Sequence, residues 1–111
     1  MKTTLKNDHY TYRVTWSEED REYVGLCPEF PSLSWLDKTQ NVALDGIRQL
    51  VAEVIEDMKA NGEKIPEPFS GRKFSGKFMV RVPPALHRRL AEEAAEEGVS
   101  INRLVNSKLT R

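Results

Sequence analysis

Lys77-Phe-Met-Val-Arg-Val82, followed by Pro83-Pro84, decides how this chain folds. Phe78, Val80 and Val82 fall on one side and Lys77, Met79 and Arg81 on the other, the two-residue period of a strand with one dry face. Pro83-Pro84 ends the strand, and proline suits the first turn of a helix. Leu86, Leu90 and Ala94 then recur every fourth residue up to Gly98. Ser100 is a good helix cap. After it, Ile101, Leu104, Val105 and Leu109 line a second helix. One strand and two short helices, about 35 residues, bury too little surface to stand alone. The simplest remedy is a second copy. Two strands pair antiparallel about a two-fold axis and four helices close over them. Phe78, Val80, Val82, Leu86, Leu90, Ile101, Leu104 and Val105 then form the shared core.

That arrangement turns Lys77, Met79 and Arg81 outward on a two-stranded ribbon. A ribbon of this width fits the major groove of B-DNA, where Lys and Arg bond guanine O6 and N7. Met79 offers only apolar contact, for instance to a thymine methyl; its alternative place is in a core. The alternative for Lys77 and Arg81 is a merely solvated face. The second helix adds a phosphate site. Its first N–H groups, around Ser100, Ile101 and Asn102, lack helical acceptors and carry the positive end of the helix dipole. Arg103 supplements them.

Upstream, Ile65-Pro-Glu-Pro68 and Ser70 to Gly76 have the proline and glycine content of a joint. Ile65 to Phe69 is a candidate edge strand. The expected division is a domain over 1–69, a linker over 70–76 and a DNA-binding domain over 77–111. Within the first domain, Tyr10, Tyr12, Val14 and Trp16 alternate with Thr11, Arg13 and Thr15, predicting a half-buried strand. Tyr23 to Cys27 and Leu33 to Asp37 predict two more strands. Thr39 caps a helix whose apolar stripe is Leu44, Ile47, Leu50, Val51, Val54, Ile55 and Met58. Asp45, Arg48, Glu53, Glu56 and Lys59 take its wet face, and Asn61-Gly62 stops it. The fold class is α+β: a small antiparallel sheet packed by one helix, followed by a strand-helix-helix module.

The 111 residues carry 17 Lys+Arg and 17 Asp+Glu. The zero net charge is unevenly placed. Residues 1–74 hold ten basic and thirteen acidic groups, a net of −3, and residues 75–111 hold seven and four, a net of +3. The tail's acids are confined to Glu92, Glu93, Glu96 and Glu97, leaving its other faces positive toward a polyanion. Arg88 and Arg89 precede Glu92 and Glu93 by four residues, the spacing of helical ion pairs. Trp35, beside prolines, is a candidate partner contact. Tyr10, Tyr12 and Trp16 are expected in the core, and the single Cys27 as an inert apolar residue. One cysteine, no apolar leader and no long apolar run point to a cytoplasmic protein away from membranes.

Phe78-Met-Val-Arg-Val-Pro-Pro-Ala-Leu-His-Arg-Arg-Leu90 with Gly98-Val-Ser-Ile-Asn-Arg-Leu-Val105 resembles the ribbon-helix-helix repressors. Tyr10 to Trp16, the acidic turn, Tyr23-Val-Gly-Leu-Cys-Pro-Glu-Phe-Pro-Ser-Leu-Ser34 and the helix opened by Thr39 resemble the HicB antitoxin domain. The resemblance spans nearly the whole chain. It implies a partial RNase H-like fold without activity and a partner, a small RNA-cleaving HicA-like toxin. It also implies repression of the shared operon by the tail, as a homodimer or higher oligomer on operator DNA. The alternative is a stand-alone ribbon-helix-helix transcription regulator without a toxin. Catalysis is not expected. The first strand holds no carboxylate to bind the two metal ions of a nuclease, His9 and His87 lie far apart, and no phosphate loop or metal-ligand spacing is present. No cofactor is expected.

Overall fold

The computed structural model describes residues 4–110, and the chain divides into two compact units, Met1–Phe74 and Ser75–Arg111. The first unit is a three-stranded antiparallel meander, β1 (Arg13–Ser17), β2 (Glu22–Leu26) and β3 (Ser34–Asp37), in chain order. Trp16 pairs with Tyr23 and Val14 with Gly25; Gly25 in turn pairs with Trp35. The polar connection expected between the first two strands is a tight turn in which Arg21 adopts φ 55° and donates its N–H to the Ser17 carbonyl.

β1 starts three residues later than the alternation from Tyr10 predicts. The cause is local. The Thr11 N–H donates to the Glu29 carboxylate instead of a strand neighbour. Extending the register also sets Thr11 opposite Pro28, which has no N–H to give.

α1 (Gln40–Ala60) crosses one face of the sheet. Thr39 Oγ1 accepts the Val42 N–H at 3.2 Å, and Asn61 closes the helix by donating to the Asp57 carbonyl. Ile47, Val51 and Ile55 are buried against Cys27 and Phe30, and Ala43 and Ala52 are buried beside them on the helix. The expected stripe is thus displaced. Leu44, Leu50, Val54 and Met58 are only half-buried, and two alanines, Ala43 and Ala52, are among the buried residues of the helix. Close approach is the reason. A Cβ on Gly25 would lie 2.7 Å from the Ala43 carbonyl oxygen, and the Trp35 indole lies where a Cβ on Gly46 would be. Each fully buried Ile or Val in this core is worth about 1.5–3 kcal/mol.

After Gly62 the chain doubles back. Ile65 packs on the core, and the Tyr10 hydroxyl donates to the Pro66 carbonyl at 2.6 Å. The edge strand expected over Ile65 to Phe69 does not form. Pro66 and Pro68 interrupt it, and Phe69–Gly71 makes a 3-10 turn.

In the second unit, α2 (Pro84–Glu97) begins with proline in its first turn and ends at Gly98 with φ 68°. α3 (Ile101–Leu109) follows, with the Ser100 hydroxyl accepting the Arg103 N–H at 3.0 Å. Ala94 and Leu104 are buried between these helices, and Lys108 reaches Glu93 at 3.1 Å. Of the ion pairs expected within α2, Arg88–Glu92 forms at 2.9 Å, while Glu93 turns to Lys108.

The strand expected over 77–82 is not present in this single chain. A strand needs a neighbour to take its backbone hydrogen bonds, and this segment has none within its own unit.

Candidate functional site: an unpaired tail and an open sheet face

Around Lys77 to Val82 the side chains stand in solvent. Phe78 is 77% exposed, Met79 85%, Val80 64% and Val82 37%. Lys77 and Arg81 are exposed as well. The single chain therefore leaves both faces of the segment open, the face of Lys77, Met79 and Arg81 and the face of Phe78, Val80 and Val82. Leu104 is buried and Leu86, Leu90 and Val105 are half-buried, whereas Ile101 and Leu109 are exposed. Single apolar side chains on a surface are ordinary. Three of them alternating along one short segment beside a half-covered helix pair are an unpartnered face.

At the start of α3 the cap removes one donor from the predicted anion site. The Arg103 N–H is taken by Ser100, and the Leu104 N–H by the Ser100 carbonyl. The N–H groups of Ile101 and Asn102 remain, with the positive helix end behind them. A groove of about 560 Å³ lined by Ser75 to Phe78 and by Asn102, Val105, Asn106 and Leu109 runs along the same helix.

The first unit has a different exposed surface. Gly25 and its cross-strand partners face α1, so Val24, Leu26 and Leu36 point to the other side of the sheet, with Thr15 and Arg13 opposite them on β1. No helix covers this side among the described residues. Leu36 is 39% exposed. A cavity of about 220 Å³, walled by Arg13, Leu26, Cys27, Pro28, Pro31 and Leu33, continues the apolar surface.

Trp35, expected as a candidate partner contact, is 40% exposed and packs over Gly46 on α1. Trp16, expected in the core, is 47% exposed; its ring meets Tyr23 edge-on and its N–H donates to Glu18. Tyr10 and Tyr12 do pack on the core. Cys27 is buried, and burial followed by its hydrogen bond to Glu29 pushes its thiol up to about 11, so the thiolate is scarce at neutral pH.

Two polar centres were not singled out by residue pattern. Asp8 accepts the Tyr12 hydroxyl at 2.9 Å and pairs with Arg48 at 3.5 Å; burial, then Asp8, raise the Tyr12 pKa. Glu29 is buried and accepts the N–H and hydroxyl of Thr11 and the N–H of Phe69. Burial pushes its pKa up, but these donors outweigh burial and hold the carboxyl below its ordinary 4.5. The sequence signal was a lone acid set among apolar residues between Pro28 and Pro31.

Residues 60–109 match the model of the HicB family. The match supports a HicB-type protein. The matched span takes in the last residue of α1, the returning segment and both helices of the second unit; the HicB-type match leaves the sheet outside it. Comparison with curated proteins and with solved structures gives no match. No described helix is long and apolar enough to cross a membrane.

Proposed function

We propose that this chain is the antitoxin of a HicA/HicB-like system, acting in the cytoplasm. It neutralises an RNA-cleaving toxin by direct binding and represses its own operon as a ribbon-helix-helix dimer on operator DNA. The observation that carries the DNA half is the segment Phe78 to Val82. Its apolar side chains and backbone groups find no partner in their own unit, and pairing with the same segment of a second copy answers both needs at once.

In the paired ribbon, Lys77, Met79 and Arg81 of each copy enter the major groove, with Arg81 and Lys77 donating to guanine edges and Met79 meeting a thymine methyl. Ile101 and Asn102 bring free N–H groups to a backbone phosphate at the start of α3, and Arg103 adds a mobile charge. The phosphate contacts set register and the ribbon reads sequence. Neither task needs a cofactor or a catalytic group.

The toxin half rests on the first unit. Its acidic balance of −3 complements the cationic surface that any RNA-binding protein must carry. Val24, Leu26 and Leu36 give that unit a sheet face free to take a partner.

The test is a titration of the chain against the DNA upstream of its own gene. Binding is expected to weaken steeply with salt. Arg81→Ala is expected to cost about 1–3 kcal/mol and to relax base preference. If the variant binds that DNA as tightly and selectively as wild type, the ribbon assignment is wrong. Copurification with the product of the adjacent reading frame tests the toxin half.

A further inference from the structure

We propose that the Glu29 carboxylate is a latch that fixes where the folded first unit releases the chain. Among the described residues Glu29 is the one charged residue that is fully buried, at 5% exposure. It stands on the turn from Cys27 to Leu33, which is closed by its own backbone bonds, Phe30 N–H to the Cys27 carbonyl and Leu33 N–H to the Phe30 carbonyl. From there it gathers two distant segments. Thr11, 18 residues earlier, donates its N–H and its hydroxyl at 3.1 Å. Phe69, 40 residues later, donates its N–H at 2.9 Å. The Cys27 thiol lies at 3.5 Å.

The segment it holds has little other anchorage. Ile65 packs on the core, but the Phe69 ring is 39% exposed and Ser70 and Gly71 lie at the surface. Two further bonds, Tyr10 to the Pro66 carbonyl and Ser70 to the His9 carbonyl, tie it to the entry of β1. That entry is itself held by Glu29 through Thr11. One of the three ties is thus made by the buried charge itself, and the other two run to a segment that the same charge also holds. Hydrogen bonds to a carboxylate are about twice as strong as neutral ones, and losing one partner of a buried charge leaves a large penalty.

With the latch closed, the chain leaves the first unit at Arg72, whose guanidinium donates to the Glu67 carbonyl and lies 4.1 Å over the Phe69 ring. With it open, the free chain begins after Ile65, which the core still holds. Seven more residues of tether add up to roughly 25 Å of reach. The turn that carries the latch also supplies Pro28 and Pro31 to the open cavity, so a partner seated there presses on the latch. The inference stands on this geometry and not on the antitoxin reading.

The experiment is amide hydrogen exchange on the full chain. The reporters are Gly71 and Arg72, whose N–H groups close the 3-10 turn, and Ile47 and Val51 in the core. In Glu29→Gln the protection of Gly71 and Arg72 is expected to fall at least tenfold while Ile47 and Val51 keep theirs. Unchanged protection at Gly71 and Arg72 overturns the proposal. Should Glu29→Gln loosen every reporter, Phe69→Pro decides, because it deletes the donor and leaves the acid in place. Loosening confined to Arg72 and its neighbours then supports a latch; loosening of the whole unit makes Glu29 a strut of the core and refutes it.

Discussion

Replacing Gly25 by alanine adds one carbon where the sheet meets the backbone of the helix. That carbon would sit 2.7 Å from the Ala43 carbonyl oxygen and 2.9 Å from Ile47 Cγ2. Ordinary contact begins near 3.4 Å, so α1 or β2 must yield by about 0.7 Å. The opposing atom is backbone in the first turn of α1 and has no rotamer to change. Overpacking of this kind costs about 1–3 kcal/mol, and the gain of about 0.5–1 kcal/mol from removing a strand glycine only partly offsets it. Gly46→Ala is the internal comparison. There the added carbon meets the Trp35 indole, which has solvent on its other side, and alanine gains about 1 kcal/mol of helix propensity. Gly71, with nothing within 4 Å, is the control. Urea unfolding followed by tryptophan fluorescence should rank the loss as Gly25→Ala, then Gly46→Ala, then Gly71→Ala near zero. A Gly25→Ala variant as stable as wild type would show that α1 does not rest on the strand as described.

Ser100→Ala removes the cap of α3 and is expected to cost about 1 kcal/mol of helix stability, read as a lower thermal midpoint by circular dichroism at fixed chain concentration. Glu29 gives a pH signature. Its folded pKa is lowered, so its contribution is fully present above the ordinary 4.5 and is lost as pH falls through the lower folded value. The stability gap between wild type and Glu29→Gln should therefore hold from neutrality to that point and shrink below it; a gap that grows on acidification contradicts the assigned bonds.

Alternation and caps carried most of the first unit in the residues themselves. Thr39 and Asn61-Gly62 bound α1 where expected, and β2 and β3 fall within one residue of their predicted ends. Periodicity counts large apolar residues, however, and the close approaches of helix and sheet are made at Gly25 and Gly46 because they are small. Glu29 was hidden for another reason. Its partners lie 18 and 40 residues away, and no local pattern reports such a meeting. At the tail, Gly98 and Ser100 punctuate the two helices as their types dictate. The strand expected before them does not form in the single chain, where no neighbour takes its backbone hydrogen bonds.

The meander has a temporal consequence. Its strands join in the order in which a ribosome delivers them, β1 to β2 to β3, and the stretch that seals them ends at Phe74. Every contact of that body is thus available before the last 37 residues have cleared the exit tunnel. The first two thirds of the chain thus form a body that folds as a unit during synthesis, ahead of the segment that follows it.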